Sequence, residues 1–210
     1  MILDKHQETY HTWNKIATAY QDAFMDLTIY NDTYDYFCNS IALENANILE
    51  IGCGPGNITK YLLQQNPQFK ILATDVAPNM VSLTQQNCPS VETMVLNSSE
   101  IDKLNTLFHG IMIGFCLPYI SKEDCSKLIS DCANLLKKNG VLYLSFVEGD
   151  YDKSDFQSGS TGDRVFFYYH NLEHIRQLLT VVGFNQLEVM HKTFKRSETI
   201  SETHTIVIAQ

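Results

Sequence analysis

The sequence predicts an α/β fold, with a mostly parallel sheet and helices packed on both of its faces. Two observations predict it. Between residues 46 and 147, short apolar runs alternate with segments of helical periodicity, and this alternation implies a parallel sheet. A glycine-rich turn also follows the first of these strands and precedes a helix. With 210 residues and 44% hydrophobic content, the chain can bury one core, so we expect one domain.

Two helices are predicted before the first strand. Within residues 8–24, apolar side chains recur at steps of three and four, which is the spacing of one helix face. They are Trp13, Ile16, Ala17, Tyr20 and Phe24. A second helix is predicted over residues 32–43.

The turn after the first strand carries glycines at positions 52, 54 and 56. Glycine lacks a Cβ, so the backbone can bend sharply and a ligand can approach the main chain closely. The N–H groups at the start of the next helix then face that ligand. The spacing is G-x-G-x-G, so Asn57 replaces the third glycine of a dinucleotide turn, and the Lys-Ser/Thr pair of a P-loop is missing. The turn predicts a phosphate-like or nucleoside-like ligand.

The remaining core elements continue the alternation. The helix that begins at Ser121 has a capping-box-like Ser121-x-x-Asp124 and a basic end at Lys138 before Asn139-Gly140. The predicted strands are 46–51, 69–75, 91–96, 109–115 and 140–147, and the predicted helices are 56–65, 78–86 and 121–138.

The C-terminal part begins with a segment of loop composition, residues 148–163, which we expect to be mobile. A helix is predicted from Tyr168 to Val182, before Gly183. Strands are predicted over 184–194 and 203–209.

Composition narrows the function classes. The net charge of −9 disfavours a general grip on nucleic acid, because neutralising phosphates needs a basic face. Six cysteines without a C-x-x-C pair and an N-terminus without an apolar signal core indicate reduced thiols in the cytoplasm. No apolar run approaches the roughly 20 residues of a membrane span. We therefore expect a cytoplasmic protein without nucleic-acid or membrane partners.

Several segments resemble motifs of the class I S-adenosylmethionine-dependent methyltransferases. Glu50 stands two positions before the glycine turn, as the acid does in motif I, and Asp75 with Met80 is similar to the family's D-x-S-x-x-M segment. Three further segments match its third strand and adenine-contacting turn, its fourth strand and substrate-facing loop, and its L-K-P-G-G-x-L stretch. They are Val91–Ser99, Phe108–Tyr119 and Leu135–Leu144. The resemblance covers residues 45–148 and implies a Rossmann-like three-layer sandwich. Its seven-stranded, mostly parallel sheet would end in an antiparallel C-terminal strand.

The resemblance also implies S-adenosyl-L-methionine as the cofactor. Because a sulfonium methyl group is already electrophilic, the protein has mainly to hold a nucleophile in line with it and exclude water. In family terms, Asp75 would bind the ribose hydroxyls, and the amide oxygen of Asn97, which stands where Asp is usual, would accept from the adenine amine. The other implied positions are Glu50, Gly52, Cys53, Gly54 and Gly56 around the methionine moiety, Met80 and Ser98 at the adenine, Phe115 and Cys116 beside the methyl group, and Tyr20 as a lid.

The methyl acceptor is expected to be a small molecule with an O or N nucleophile. The segment Arg164–His170 resembles the one that lines the acceptor pocket in many small-molecule methyltransferases. Its substrate-binding candidates are Arg164, Phe167, Tyr168 and Tyr169, and the catalytic candidates are His170 and Tyr119. Two interpretations of Arg164 remain: it pairs with an acidic acceptor, or it is a solvated loop charge. Two also remain for His170: it acts as a general base, or it caps the next helix. His170 and His174 lack a third metal ligand, so no metal is expected.

Two other functions stay open at this point. A nicotinamide-dependent oxidoreductase would need a glycine near position 57 and a catalytic Tyr-x-x-x-Lys. A nucleoside-binding protein without turnover is suggested by the departures at Asn97, His109 and Gly110. We expect residues 1–44 to form a helical lid, 45–148 the cofactor-binding core, and 149–210 the acceptor-side segment and C-terminal hairpin.

Overall fold

A computed structural model describes residues 4–159, 162–196, 198 and 201–210. Residues 1–3 of the predicted lid and 160–161 of the predicted loop lie outside the described residues. The strands are β1 Asn47–Ile51, β2 Lys70–Asp75, β3 Glu92–Val95, β4 Phe108–Ile113, β5 Leu136–Val147, β6 Asp155–Ser158, β7 Arg164–Phe167, β8 Leu187–Lys195 and β9 Ser201–Ala209. The helices are α1 Lys5–Lys15, α2 Ala17–Phe24, α3 Asn31–Ser40, α4 Asn57–Gln65, α5 Pro78–Asn87, α6 Lys122–Leu135 and α7 Leu172–Val181.

Seven strands form one sheet in the order β3-β2-β1-β4-β5-β9-β8. Strands β1 to β5 pair in parallel, and β9 runs antiparallel to both of its neighbours. The chain leaves β1 for β2 on one side and returns to β4 on the other, so a crevice opens at the carboxyl ends of β1 and β4. The predicted α/β fold and its antiparallel C-terminal strand are confirmed.

The core has one layer on each face of this sheet. Leu49 and Ile51 of β1 face a layer that includes Leu128 and Ile129 of α6, while Ile48 faces a layer closed by α3 and α4. β1 is therefore buried on both faces, as a central parallel strand should be. No helix in the described part of the chain has both the length and the apolar character needed to cross a bilayer.

The helix predicted over residues 8–24 is two helices. Ile16 leaves helical geometry, with φ −94° and ψ 13°. The break lets each helix pack on a different partner: Thr12 of α1 donates to the Arg164 carbonyl of β7 over 2.8 Å, and Ala17 of α2 packs with Met80 of α5. Long-range packing, which helical periodicity does not encode, decides this break.

The helix predicted to reach residue 138 ends at Leu135, and β5 begins at once with Leu136. Leu136 pairs with Phe108, and the register shifts before Gly110 pairs with Val141. Asn139, with φ 62°, lies within this irregular stretch. An apolar pair such as Leu135-Leu136 fits a helix stripe and a strand equally well, and pairing with β4 selects the strand.

The region between β5 and α7 also differs from prediction. The segment 148–163 contains β6, which pairs with β7 in a small two-stranded sheet, so its described residues include regular structure. The predicted helix begins at Leu172 rather than Tyr168. Asn171 accepts from the N–H groups of Glu173 (2.9 Å) and His174 (3.3 Å), so Asn171 caps α7 and His170 does not.

Candidate functional site

The glycine turn folds back over the end of β2. Its glycines have positive φ: +74° at Gly52, +56° at Gly54 and +89° at Gly56. The N–H groups of Gly52 and Cys53 donate to the Thr74 carbonyl over 2.8 and 2.9 Å. This arrangement presents the backbone of the turn, without Cβ atoms, at the carboxyl edge of the sheet.

Gly56 also allows a close approach of α5. A Cβ built on Gly56 would lie 3.2 Å from the Thr84 Cα, whereas one on Gly183, which also has positive φ, would meet no atom within 4 Å. We expect Gly183→Ala to cost about 1 kcal/mol through backbone strain alone. Gly56→Ala should cost about 2 kcal/mol more, because α5 must also shift. Urea unfolding of both variants checks the difference, and equal losses would show that the turn tolerates a Cβ.

Asp75 joins the turn to the end of β2. One carboxylate oxygen accepts from the Gly54 N–H over 3.0 Å, and the other accepts from the Ala77 N–H over 2.8 Å. Burial raises the pKa of this carboxyl, and the backbone N–H groups oppose the rise. Each oxygen keeps acceptor capacity toward the crevice, as a carboxylate has about four lone-pair sites.

Glu50 lies behind the turn and is 1% exposed. Its Oε2 accepts from the Thr59 hydroxyl over 2.5 Å, while Oε1 has no partner among the described residues. Burial raises the pKa of Glu50 to about 8. An unpaired carboxylate here is costly, so a cationic group placed nearby would be stabilised.

A cavity of about 440 Å³ lies at the turn, and we call it the turn cavity. It brings together most of the predicted cofactor positions: Tyr20, Gly52, Gly54, Asp75, Met80, Asn97, Ser98, Phe115 and Cys116. Glu50, Cys53 and Gly56 are buried and are not among its lining residues. Trp13 was missed by the sequence argument; its ring lies 5.4 Å from that of Tyr20 and 5.1 Å from that of Tyr119.

Asn97 forms hydrogen bonds with a nearby residue of the chain. Its amide oxygen accepts from both the N–H (3.0 Å) and the hydroxyl (3.0 Å) of Ser99, and so caps the short 3-10 helix that follows. The oxygen is therefore engaged locally in this structure. The expectation that it accepts from an adenine amine stays a prediction, and it would require these contacts with Ser99 to be shared or exchanged.

A second cavity, of about 470 Å³, adjoins the first, and we call it the aromatic cavity. The two share Trp13, Tyr20, Gly52, Gly54, Gly114, Phe115 and Tyr119. Phe115 stands at this boundary with φ 55°, and its N–H donates to the Ser145 hydroxyl over 2.8 Å. The aromatic cavity is lined by the rings of Trp13, Tyr20, Phe24, Tyr30, Tyr34, Phe115, Tyr119, Phe167 and Phe194.

The acceptor-side candidates divide. Tyr119 and Phe167 line the aromatic cavity, and burial raises the pKa of Tyr119 well above its usual range. Arg164 instead pairs with Glu8 and lies over the Phe156 ring, 4.1 Å from its centre. It is thus neither a free loop charge nor a wall of either cavity.

Three more candidates lie away from both cavities. His170 is fully buried, and its Nε2 lies 2.8 Å from the Leu117 carbonyl oxygen. Tyr168 is 1% exposed, and Tyr169 packs on Phe167 with ring centres 5.3 Å apart. The proposed base role of His170 is therefore corrected: its ring supports the loop after β4 and faces neither cavity.

A polar cluster in the aromatic cavity was not predicted. Tyr30, Arg196, Glu202 and His204 all line it. The Tyr30 hydroxyl lies 2.6 Å from Nδ1 of His204, although the two residues are 174 positions apart. One local signal existed: Glu202 and His204 alternate along β9, on a strand whose later residues are buried. Sequence spacing gave no reason to pair them with Tyr30.

Comparison with known proteins gives a consistent result. Residues 48–140 match a family model described as a methyltransferase domain. The chain is 28% identical over 118 residues to a ubiquinone biosynthesis O-methyltransferase of Xanthomonas campestris, covering 53% of this chain and 47% of that protein. It is 27% identical over 127 residues to the tRNA N(3)-methylcytidine methyltransferase trm141 of Schizosaccharomyces pombe, covering 53% of this chain and 48% of that protein. The chain spans about half the length of these curated relatives.

The fold comparison extends over the whole chain. The structure of magnesium protoporphyrin IX methyltransferase from Synechocystis with bound SAH superimposes with a TM-score of 0.75. The match covers 98% of this chain and 99% of that one at 17% identity. At this identity, the similarity establishes the fold.

Proposed function

We propose that the chain is a class I S-adenosylmethionine-dependent methyltransferase and that it methylates a small molecule held in the aromatic cavity. The matched methyltransferase domain and the shared fold support the first part of this proposal. The observation that carries this proposal is the shared wall of the two cavities. A donor in the turn cavity and an acceptor in the aromatic cavity would meet at Phe115 and Tyr119.

The residues of the turn cavity fit the methyl donor. Backbone without Cβ atoms at Gly52 and Gly54 suits close contact with the methionine part. Glu50, which is buried behind the turn and does not line the cavity, has an unpartnered oxygen and would favour a nearby ammonium group electrostatically. Asp75 has acceptor capacity for the ribose hydroxyls, and Met80, Asn97 and Ser98 would surround the adenine. When bound, the donor supplies an electrophilic methyl carbon to the acceptor's lone pair. The protein's own part is to align the acceptor and exclude water.

The walls of the aromatic cavity support a small acceptor. Among the described residues that line it, the charged side chains are Asp163, Arg196 and Glu202, and Arg196 is already bonded to Glu202 and to Gln157. Together with a net charge of −9, this disfavours a polyanion. The N-terminal segment supplies Trp13 and Tyr20 to both cavities, which suits the lid role that we propose for it.

Calorimetry with S-adenosylhomocysteine tests the donor site, and we expect a Kd well below about 1 mM. Transfer of labelled methyl groups to a panel of phenols, amines and tRNA then tests the acceptor. Methylation of small aromatic compounds is the expected outcome. Transfer to tRNA alone would contradict the small acceptor but not the methyltransferase, while absence of donor binding would contradict both.

A further inference from the structure

His204 occupies an unusual position at the wall of the aromatic cavity. It is 6% exposed and Tyr30 is 5% exposed, and Nδ1 of the imidazole lies 2.6 Å from the Tyr30 hydroxyl. Its Nε2 has no hydrogen-bond partner among the described residues, but Oε2 of Glu202 lies 3.7 Å away. A buried polar atom without a partner is costly, so its retention calls for an explanation.

The surrounding packing holds this ring in one orientation. The Phe194 ring of β8 stacks on the His204 ring, with the ring centres 4.9 Å apart and an angle of 15° between the ring planes. The Phe115 ring, at the boundary of the two cavities, has its centre 4.9 Å from that of His204. Arg196 donates to Oε1 of Glu202 over 3.2 Å, which fixes that carboxylate beside the imidazole. The His204 ring therefore lies between Glu202 and Tyr30, and it contacts Phe115, the residue at the boundary of the two cavities.

The direction of the hydrogen bond follows from the groups involved. Burial raises the pKa of Tyr30 well above its usual range, so its hydroxyl keeps its proton and donates to Nδ1. Burial also lowers the pKa of His204, so the free imidazole is neutral with its proton on Nε2, toward Glu202. In this arrangement, the imidazole can accept the proton of the hydroxyl while the carboxylate stabilises the imidazolium that forms.

We propose that Tyr30, His204 and Glu202 form a proton relay that deprotonates a phenolic acceptor in the aromatic cavity, an inference that rests on the proposed function. The acceptor O–H gives its proton to the Tyr30 oxygen as the Tyr30 proton moves to Nδ1 of His204. The phenolate lone pair forms the bond to the methyl carbon, and the electron pair of the broken carbon–sulfur bond stays on sulfur. The imidazolium, stabilised by Glu202, returns its proton through Tyr30 to water after the product leaves.

A phenol is the acceptor class that suits these residues. An amine in its neutral form already has a nucleophilic lone pair. An imidazole can act as general base for an aliphatic alcohol, but such an alcohol is a far weaker acid than a phenol and would not be held in the site as its anion. A phenol lies between them, because its acidity is close enough to that of imidazolium for transfer. Its flat ring also fits walls built from aromatic side chains.

Other charged groups face the imidazole from the packed elements. Lys192 pairs with His204 across the two strands, and its ammonium is bonded to Asp32 over 2.6 Å. Arg196 is bonded to Glu202. Since both cations have anionic partners, Glu202 and Tyr30 are the groups that set the protonation of His204 in the relay.

The spectroscopic test uses 4-nitrophenol bound to the full chain with S-adenosylhomocysteine. At a pH about one unit below the pKa of the free phenol, we expect the probe bound to wild type to absorb as the phenolate. Tyr30→Phe and His204→Gln should bind it as the neutral phenol. Tyr36→Phe changes a 41% exposed tyrosine of α3, the helix that begins directly after Tyr30; it is the matched control and should behave like wild type. Equal ionisation in wild type and Tyr30→Phe would overturn the relay.

Two further measurements separate the possible failures. Nitrogen chemical shifts of the His204 imidazole should show Nε2 protonated and Nδ1 accepting, with a changed Nδ1 shift in Tyr30→Phe. A proton on Nδ1 in wild type would overturn the relay whether or not the probe binds. Binding of S-adenosylhomocysteine without binding of 4-nitrophenol overturns the phenolic acceptor alone, and absence of both overturns the proposed function. Methyl transfer to the probe should fall about 100-fold in Tyr30→Phe with little change in KM.

Discussion

Replacing Asp75 with alanine is expected to weaken the binding of S-adenosylhomocysteine by about 100-fold or more. Hydrogen bonds to a charged group contribute about 1.5 to 3 kcal/mol each, and a carboxylate facing a ribose would make two of them. The substitution also removes the acceptor for the N–H groups of Gly54 (3.0 Å) and Ala77 (2.8 Å). The turn then keeps only its bonds to the Thr74 carbonyl of β2 among those described above.

Isothermal calorimetry of wild type, Asp75→Ala and Asp75→Asn measures this effect. The asparagine variant keeps one acceptor oxygen without the charge, and its affinity should lie between the other two. Circular dichroism at the same temperature shows whether each variant is folded. An unchanged Kd for a folded Asp75→Ala protein would mean that the nucleoside binds elsewhere.

Replacing Glu50 with glutamine is expected to remove a pH dependence of stability. Burial raises the pKa of Glu50 from 4.5 to about 8, so the folded protein binds this proton more tightly than the unfolded chain does. The stability due to the protonated form is complete below about pH 4.5 and is lost as the pH rises toward 8. A shift of this size corresponds to about 5 kcal/mol, and Glu50→Gln should not show this loss.

Urea unfolding across this pH range, without ligand, measures the difference between the two proteins. Asp75 also has a raised pKa, but it is present in both proteins, so the difference between the two curves reports Glu50 together with its interaction with Asp75. Glu44→Gln, at an exposed position, changes the same charge without burial and should follow the wild-type curve. If the free energy of unfolding depends on pH in the same way for wild type and Glu50→Gln, then ionising Glu50 in the folded protein costs no free energy and the prediction is wrong.

Local sequence predicts the part of the site that is formed by neighbouring residues. The glycines of the turn follow directly after β1, and Asp75 is the last residue of β2. Parallel strands place their carboxyl ends at the same edge of the sheet, so these residues are brought together. The break at Ile16 and the early start of β5 depend on packing against distant elements. Helical periodicity therefore joined α1 and α2 into one predicted helix and extended α6 too far. Secondary structure was therefore predicted best in segments whose conformation depends on their own residues and not on packing against distant parts of the chain.

The acceptor side shows the same limit more strongly. His170 lies in a segment that resembles an acceptor wall, but its ring bonds the Leu117 carbonyl. His204 lies on the last strand, and only the antiparallel pairing of β9 with β5 and β8 carries it to Tyr30. Because this contact joins opposite ends of the chain, no spacing rule along the sequence identifies it.

The bonds between α1 and β7 have a mechanical consequence. Thr12 donates to the Arg164 carbonyl (2.8 Å), and Thr9 accepts from the Phe166 N–H (2.9 Å), so the first helix is fastened to the small two-stranded sheet. Trp13 of that helix borders both cavities. An outward movement of α1 would therefore either carry the two-stranded sheet with it or break these two hydrogen bonds.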